Sequence, residues 1–249
     1  LFIRNTRTVQ LTPAGKEFVF YAKRILSEIN DVKNAMLAHI NLNRGNIRVG
    51  AVPAMGYLGI TPVIASFQKA YPGINMEICE ENSINLVKKL AKAELDVAFT
   101  NPINLTDDEF DIYPLINDKM VLFLSIRHKL AERNIVPLSE LSHEKFLIVT
   151  GLRDDFVRHC HQVGFEPNII SSSIQAPTIK ELVEEGLGIA PFTTRIANAL
   201  LNSNTKIVHF TPILKRSIAL VIVKNKNTNV TKVFKDFVLK HFGSVQNLY

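Results

Sequence analysis

The stretch "INLVKKLAKAELDVAF" (residues 84–99) decides the fold, because its form returns. Residues 179–192, "IKELVEEGLGIAPF", follow the same plan. In each, apolar residues at helical spacing lead almost directly into a short, nearly unbroken apolar run. Such a run reads as a strand buried on both faces, as in a parallel sheet covered by helices.

The pattern extends outward from both copies. Ahead of the first lie a strand "NIRVGAV" (46–52), a helix "YLGITPVIASFQKAY" (57–71) with Pro62 near its start, and a strand "INMEICEE" (74–81). The helix "SINLVKKLAKAEL" (83–95) and the strand "DVAFT" (96–100) complete the unit. The second copy runs "EKFLIVTG" (144–151), "DFVRHCHQVGF" (155–165), "NIISSSI" (168–174), "PTIKELVEEGL" (177–187) and "GIAPFT" (188–193). This is β-α-β-α-β written twice, which predicts an α/β protein of two similar lobes with a crevice between them. Two long apolar strands remain, "DKMVLFLSI" (118–126) and "RSIALVIVK" (216–224), suited to carry the chain from one lobe to the other and back. The tail "VTKVFKDFVLKHF" (230–242) predicts a last helix returning to the first lobe. The expected division is lobe I over 46–120 and 221–249, and lobe II over 121–220.

In open parallel sheets a ligand sits beyond the carboxyl ends of the strands, where helix N-termini present free N–H groups. Here those places are the loops 52–56, 81–84, 100–103, 150–154 and 174–178, with 191–194 after the last strand. The candidate binding residues are Val52, Pro53, Ala54, Met55, Glu81, Ser83, Thr100, Asn101, Thr150, Gly151, Arg153, Gln175 and Pro191. Arg153 is the expected fork for a carboxylate.

The front of the chain is different. Formal net charge is +6, and residues 1–44 carry +4 of it: Arg4, Arg7, Lys16, Lys23, Arg24, Lys33 and Arg44 against Glu17, Glu28 and Asp31. A basic front end suits an anionic partner such as nucleic acid. Thr12-Pro13 reads as N-cap and first helical residue. No Pro or Gly follows from Lys16 to Arg44, and Gly45 is the expected stop. Phe18, Ala22, Ile25, Ile29, Val32 and Met36 fall at spacings of 4, 3, 4, 3 and 4, a heptad seam. A helix over 12–45, roughly 45 Å long at about 1.5 Å per residue, is too long for its own small neighbour to cover. The seam predicts a partner helix from a second copy.

Other constellations carry no chemistry. His159-Cys160-His161 point in different directions on a helix and cannot close one metal site. "GLGIAP" has its glycines after a helix, not after a strand as a dinucleotide fingerprint requires. No P-loop, G-x-S-x-G or H-E-x-x-H is present, so no catalytic set, metal or cofactor is expected and a binding protein is. Cys79 and Cys160 fall in different predicted lobes, which argues against a disulfide switch. No apolar run approaches membrane-span length, and "LFIRNTRTVQ" is not a signal peptide. With only two cysteines, a soluble protein of a reducing cytoplasm is expected.

These pieces together resemble the LysR-type transcriptional regulators. "LFIRNTRTVQLTPAGKEFVFYAKRIL" is similar to the end of their DNA-binding region, where the wing leads into a linker helix. "IRVGAVPAMGYLGITPVIASFQKAYPGINMEI", "AELDVAFTNP" and "VEEGLGIAP" resemble patterns of their effector-binding domain. The resemblance implies a type 2 periplasmic-binding-protein-like domain behind a long linker helix. Residues 1–11 would be the remnant of a wing, with Arg4 and Arg7 on DNA phosphates, and a winged helix-turn-helix would precede residue 1. It further implies a homodimer or homotetramer, promoter DNA as partner, and a small effector, a carboxylate among the candidates, held between the lobes. The family often places Ser or Thr in the first loop, where Val52-Pro53-Ala54-Met55 stands here. That departure implies either an effector that is less polar at that point or one held mainly by Ser83, Thr100 and Arg153. A secreted or periplasmic solute-binding protein is the alternative on the same fold, but it needs neither the heptad helix nor the basic wing.

Overall fold

A small hairpin leads the chain. The computed structural model describes residues 1–249 except 6–7, 41–43, 103–104, 107, 225–227 and 247–249. Strands β1 (Phe2–Asn5) and β2 (Thr8–Leu11) pair antiparallel, Arg4 opposite Val9. Arg7 lies outside the described residues. Helix α1 (Pro13–Ile40) follows, capped as expected, with the Gly15 N–H donating to Thr12 Oγ1 at 2.9 Å. Gly45 does not end it. That residue is buried and opens β3 (Gly45–Ala51), where its N–H donates to the Gly73 carbonyl.

The first repeat is β3, α2 (Ile60–Ala70), β4 (Ile74–Glu80), α3 (Ser83–Ala91) and β5 (Val97–Thr100). Strand β6 (Phe110–Ser125) then runs for 16 residues, and β7 (Ile135–Pro137) is short. The second repeat is β8 (Lys145–Val149), α4 (Arg153–Gln162), β9 (Asn168–Ser173), α5 (Ala176–Glu184) and β10 (Ala190–Thr193). Helix α6 (Thr194–Leu200), β11 (Thr205–Thr211), β12 (Lys215–Val223) and α7 (Asn229–Gln246) finish the described chain.

Pairing turns the repeat into symmetry. Lobe I has strand order β4-β3-β5-β12-β6, with β3 parallel to both β4 and β5. In lobe II, β8 pairs parallel with β9 and meets β10 through the parallel bridge Phe146–Ile189. Strand β10 lies antiparallel to β6, which pairs β11 on its other side. Each repeat thus has its strands in the same spatial order. Strand β6 belongs to both lobes: residues 110–119 pair β12, and 120–125 pair β10 and β11.

The helix-to-strand turns match as well. Ala93 (φ 56) after α3 and Gly186 (φ 77) after α5 both take the left-handed conformation that ends a helix. Gly188 then lets β10 approach β8. A Cβ there would lie 2.4 Å from the Lys145 carbonyl oxygen, the acceptor for the Ile189 N–H at 2.9 Å.

Two cores result. One spans Ile47–Ile116 and Ile218–Val238, the other Met120–Leu214. Helix α7 returns to lobe I through Phe234, which is fully buried edge-on to Phe67 at 4.8 Å between ring centres. Phe234→Ala should therefore cost about 3–5 kcal/mol, read as a lower urea midpoint. Gly188→Ala should cost about 1–3 kcal/mol, because the clash is with backbone that cannot step aside.

A cavity between the lobes

A cavity of about 240 Å³ opens where the carboxyl ends of both sets of strands face each other. Lobe I supplies Val52, Pro53 and Ala54 after β3, Glu80 at the end of β4, and Glu81 and Asn82 between β4 and α3. Lobe II supplies Thr150, Gly151 and Leu152 between β8 and α4, and Ile174 to Pro177 at the start of α5. Asp118 on β6 and Arg216, Ser217 and Ile218 on β12 form the part that bridges them. Tyr57, Leu58 and Ile196 add apolar wall.

Of the residues expected from the sequence, Val52, Pro53, Ala54, Glu81, Thr150, Gly151 and Gln175 line this cavity. The others lie elsewhere. Met55 packs against the lobe I core. Ser83 Oγ accepts the Asn101 N–H at 3.4 Å. Thr100 is fully buried. Pro191 is buried in β10 opposite Leu122. Arg153 is exposed, on an outer surface with Arg158, His161 and Glu166. Leu152 takes the inward place in the turn before α4, which leaves the next side chain to solvent.

The cation in the cavity is Arg216, which the sequence reading placed in a crossing strand without a role. It is 8% exposed. Its Nη1 donates to Asp155 Oδ2 and its Nη2 to the Gly151 carbonyl at 3.0 Å. Burial pushes its pKa below the ordinary arginine value, and the charges of Asp155 and Asp118 oppose that push. Asp155 stands on α4 and also accepts from Asn101 Nδ2 at 2.8 Å and from Arg158 at 2.7 Å. Asn101, expected as a ligand contact, instead joins the end of β5 to α4 across the lobes.

The lining is electrically uneven. Helix α3 is capped by the Asn82 side chain, which accepts the Asn85 N–H at 2.9 Å. Helix α5 has no side-chain cap, and Pro177 in its first turn lacks an N–H, while α4 continues from a 3-10 turn (Thr150–Leu152) and its Arg153 N–H donates to the Thr150 carbonyl. Glu81 is ionised: the hydrogen bond from Asn85, then Lys89, holds its pKa below the usual carboxylate value. Thr193 is 3% exposed and lines the cavity, and among the described residues its hydroxyl has no hydrogen-bond partner. Thr100, its counterpart at the end of β5, is orphaned in the same way.

No His or Cys is among the lining residues, so the cavity offers no nucleophile–base pair of those types. Cys79 belongs to the edge of the lobe I core and Cys160 to the lobe II core, where burial pushes its thiol up to about 12. Among the described residues no group of three or more His, Cys, Asp or Glu could hold a metal. What the arrangement can do is enclose a small molecule.

The family model for the LysR substrate binding domain matches residues 41–243. A transcriptional dual regulator of Bacillus subtilis, GltC, is 25% identical over 99% of this chain and 84% of its own length. Among solved structures, HinK, a LysR family transcriptional regulator from Pseudomonas aeruginosa, superposes with a TM-score of 0.68. It is 24% identical and covers 95% of this chain and 82% of its own. The effector binding domain of QuiR, solved with shikimate, has a TM-score of 0.71 at 21% identity, over 81% of this chain and 98% of its own. The solute-binding alternative is not favoured by these relatives. The chain belongs to the LysR substrate-binding-domain family, and with it to the LysR-type transcriptional regulators.

Proposed function

We propose that this regulator senses a small effector in the cavity between its lobes and changes its grip on promoter DNA in response. The observation that carries the reading is the cavity itself, walled by both lobes at the carboxyl ends of their strands. A ligand there touches Val52–Ala54, Glu81, Thr150, Gly151 and Gln175, and favours one spacing of the lobes over others. The protein works in the cytoplasm, without catalysis of its own. Arg4 of the front hairpin, and Arg7 close to it in sequence, contact DNA phosphates.

A second copy covers α1. One side of this helix docks on lobe I, where Lys23 pairs with Glu94 at 2.7 Å and Arg48 reaches Ser27 at 3.4 Å. Phe18, Ile25, Ile29 and Val32 are exposed on the helix, and Ala22 is half-buried. Met36 continues the seam in sequence. An exposed apolar stripe at heptad spacing gains most by pairing with its own copy. Sedimentation at micromolar concentration should give a dimer or larger, and Ile25→Lys with Ile29→Lys should give a monomer. A wild-type chain that sediments as a monomer would refute the helix pairing.

Gly151→Phe tests the cavity. A Cβ at Gly151 meets nothing within 4 Å, so the variant should keep its melting temperature. Any metabolite that raises the melting temperature of the parent chain by binding its folded state should fail to do so in this variant.

A further inference from the structure

We infer that the cavity takes a zwitterion, an α-amino acid with an apolar side chain, whose carboxylate meets Arg216 and whose ammonium meets Asp118. The inference rests on the reading of the cavity as the effector site and names the chemistry that site selects.

The donors lie together. Arg216 carries five N–H groups, and its partners among the described residues are Asp155 and the Gly151 carbonyl. It therefore keeps donors for an acceptor group. The uncapped start of α5 lies on the same wall, since Gln175 and Ala176 line the cavity. A carboxylate satisfies both.

The acceptors lie against them. Asp118 is the cross-strand partner of Arg216 in the β6–β12 pair, so the two side chains leave the sheet side by side. Asp118 receives N–H bonds from Lys119 at 2.8 Å and Arg195 at 3.3 Å, and no cationic side chain lies within ion-pair distance of it among the described residues. Glu80 and Glu81 bring two further carboxylates to the lobe I side. Thr193, orphaned and buried, adds a hydroxyl that can accept from an ammonium.

Neither charge alone fits this lining. A simple anion would face three carboxylates, while Arg216 is already balanced by Asp155. A simple cation would face Arg216 and the start of α5. A ligand with both charges close together answers both walls, and the neighbouring positions of Arg216 and Asp118 match the short separation in an α-amino acid. The remaining wall, with Tyr57, Leu58, Ile174, Ile196 and Ile218, suits an apolar body. At about 30 Å³ of liquid volume per water, the cavity holds on the order of eight water-sized groups, about the size of leucine.

The test is thermal melting of the whole chain with leucine, isoleucine, valine, methionine and phenylalanine. Each is measured beside the carboxylic acid that lacks its amine and the amine that lacks its carboxylate. The expected result is that at least one amino acid binds about tenfold or more tightly than either partner compound. That preference should vanish in Asp118→Asn, which keeps the shape of the side chain, and weaken in Thr193→Val. If the acid or the amine binds as well as the amino acid, or if Asp118→Asn leaves the preference intact, the zwitterion is wrong. If no amino acid binds, it is wrong too. In those cases a different metabolite whose effect is lost in Gly151→Phe would keep the cavity as the effector site. An amino acid whose effect survives Gly151→Phe would overturn both.

Discussion

The buried pair of Arg216 and Asp155 is the constraint on which the relation of the two lobes depends. A guanidinium taken out of water is costly unless a carboxylate and further acceptors meet it, and removal of one partner strands the other. Here the guanidinium comes from β12, the last strand of the lobe I sheet to be made, and the carboxylate from α4 of lobe II. Asn101 at the end of β5 donates to the same carboxylate. Three separate segments must therefore arrive together before the charge is satisfied. The same guanidinium holds the Gly151 carbonyl, so the pair that joins the lobes also shapes the wall of the cavity.

Around that joint the molecule is one unit used twice. The order β4-β3-β5 in lobe I is the order β9-β8-β10 in lobe II, and each last strand lies antiparallel to a long strand, β12 in one case and β6 in the other. The repeat extends to single atoms. Thr100 and Thr193 close their strands with the same apolar-then-hydroxyl ending, and both hydroxyls are buried without partners among the described residues. What differs is exposure to the cavity: Thr193 lines it and Thr100 does not. A buried hydroxyl with no partner carries a desolvation cost, and the one that faces open space can recover it from a ligand.

The repeated units were legible because their signals are local. Helical spacing running into a short apolar strand reads the same in "INLVKKLAKAELDVAF" and "IKELVEEGLGIAPF", and the cap at Thr12-Pro13 is visible in two letters. The first half of β6 was not legible. Asp111, Pro114, Asn117 and Asp118 interrupt any strand pattern, and the register shift opposite Ile218 and Ala219 absorbs the proline. Arg216 was missed for a related reason. An arginine at the head of an apolar run reads as a solvated strand end, and only the fold brings a carboxylate from another helix to meet it. Arg153 shows the opposite failure: it sits in the right loop, but loop position does not fix which neighbour faces inward, and Leu152 took that place.

The route from cavity to α1 follows from which lobe each part holds. Helix α1 touches lobe I, through Ser27 with Arg48 and Lys23 with Glu94, and Arg48 is itself fixed to Asp96 at 2.6 Å. That ties α1 to β3, whose end reaches the cavity at Val52, and to the turn before β5, whose end carries Asn101, the donor to Asp155. Lobe II is joined to this assembly by β6, by the chain between Leu214 and Arg216, and by the contacts around Asp155. A ligand that pulls the lobes together therefore moves lobe II against a lobe I to which α1 is anchored. In a dimer paired along α1, the linker helices stay with the lobe I cores while the two lobe II bodies change position.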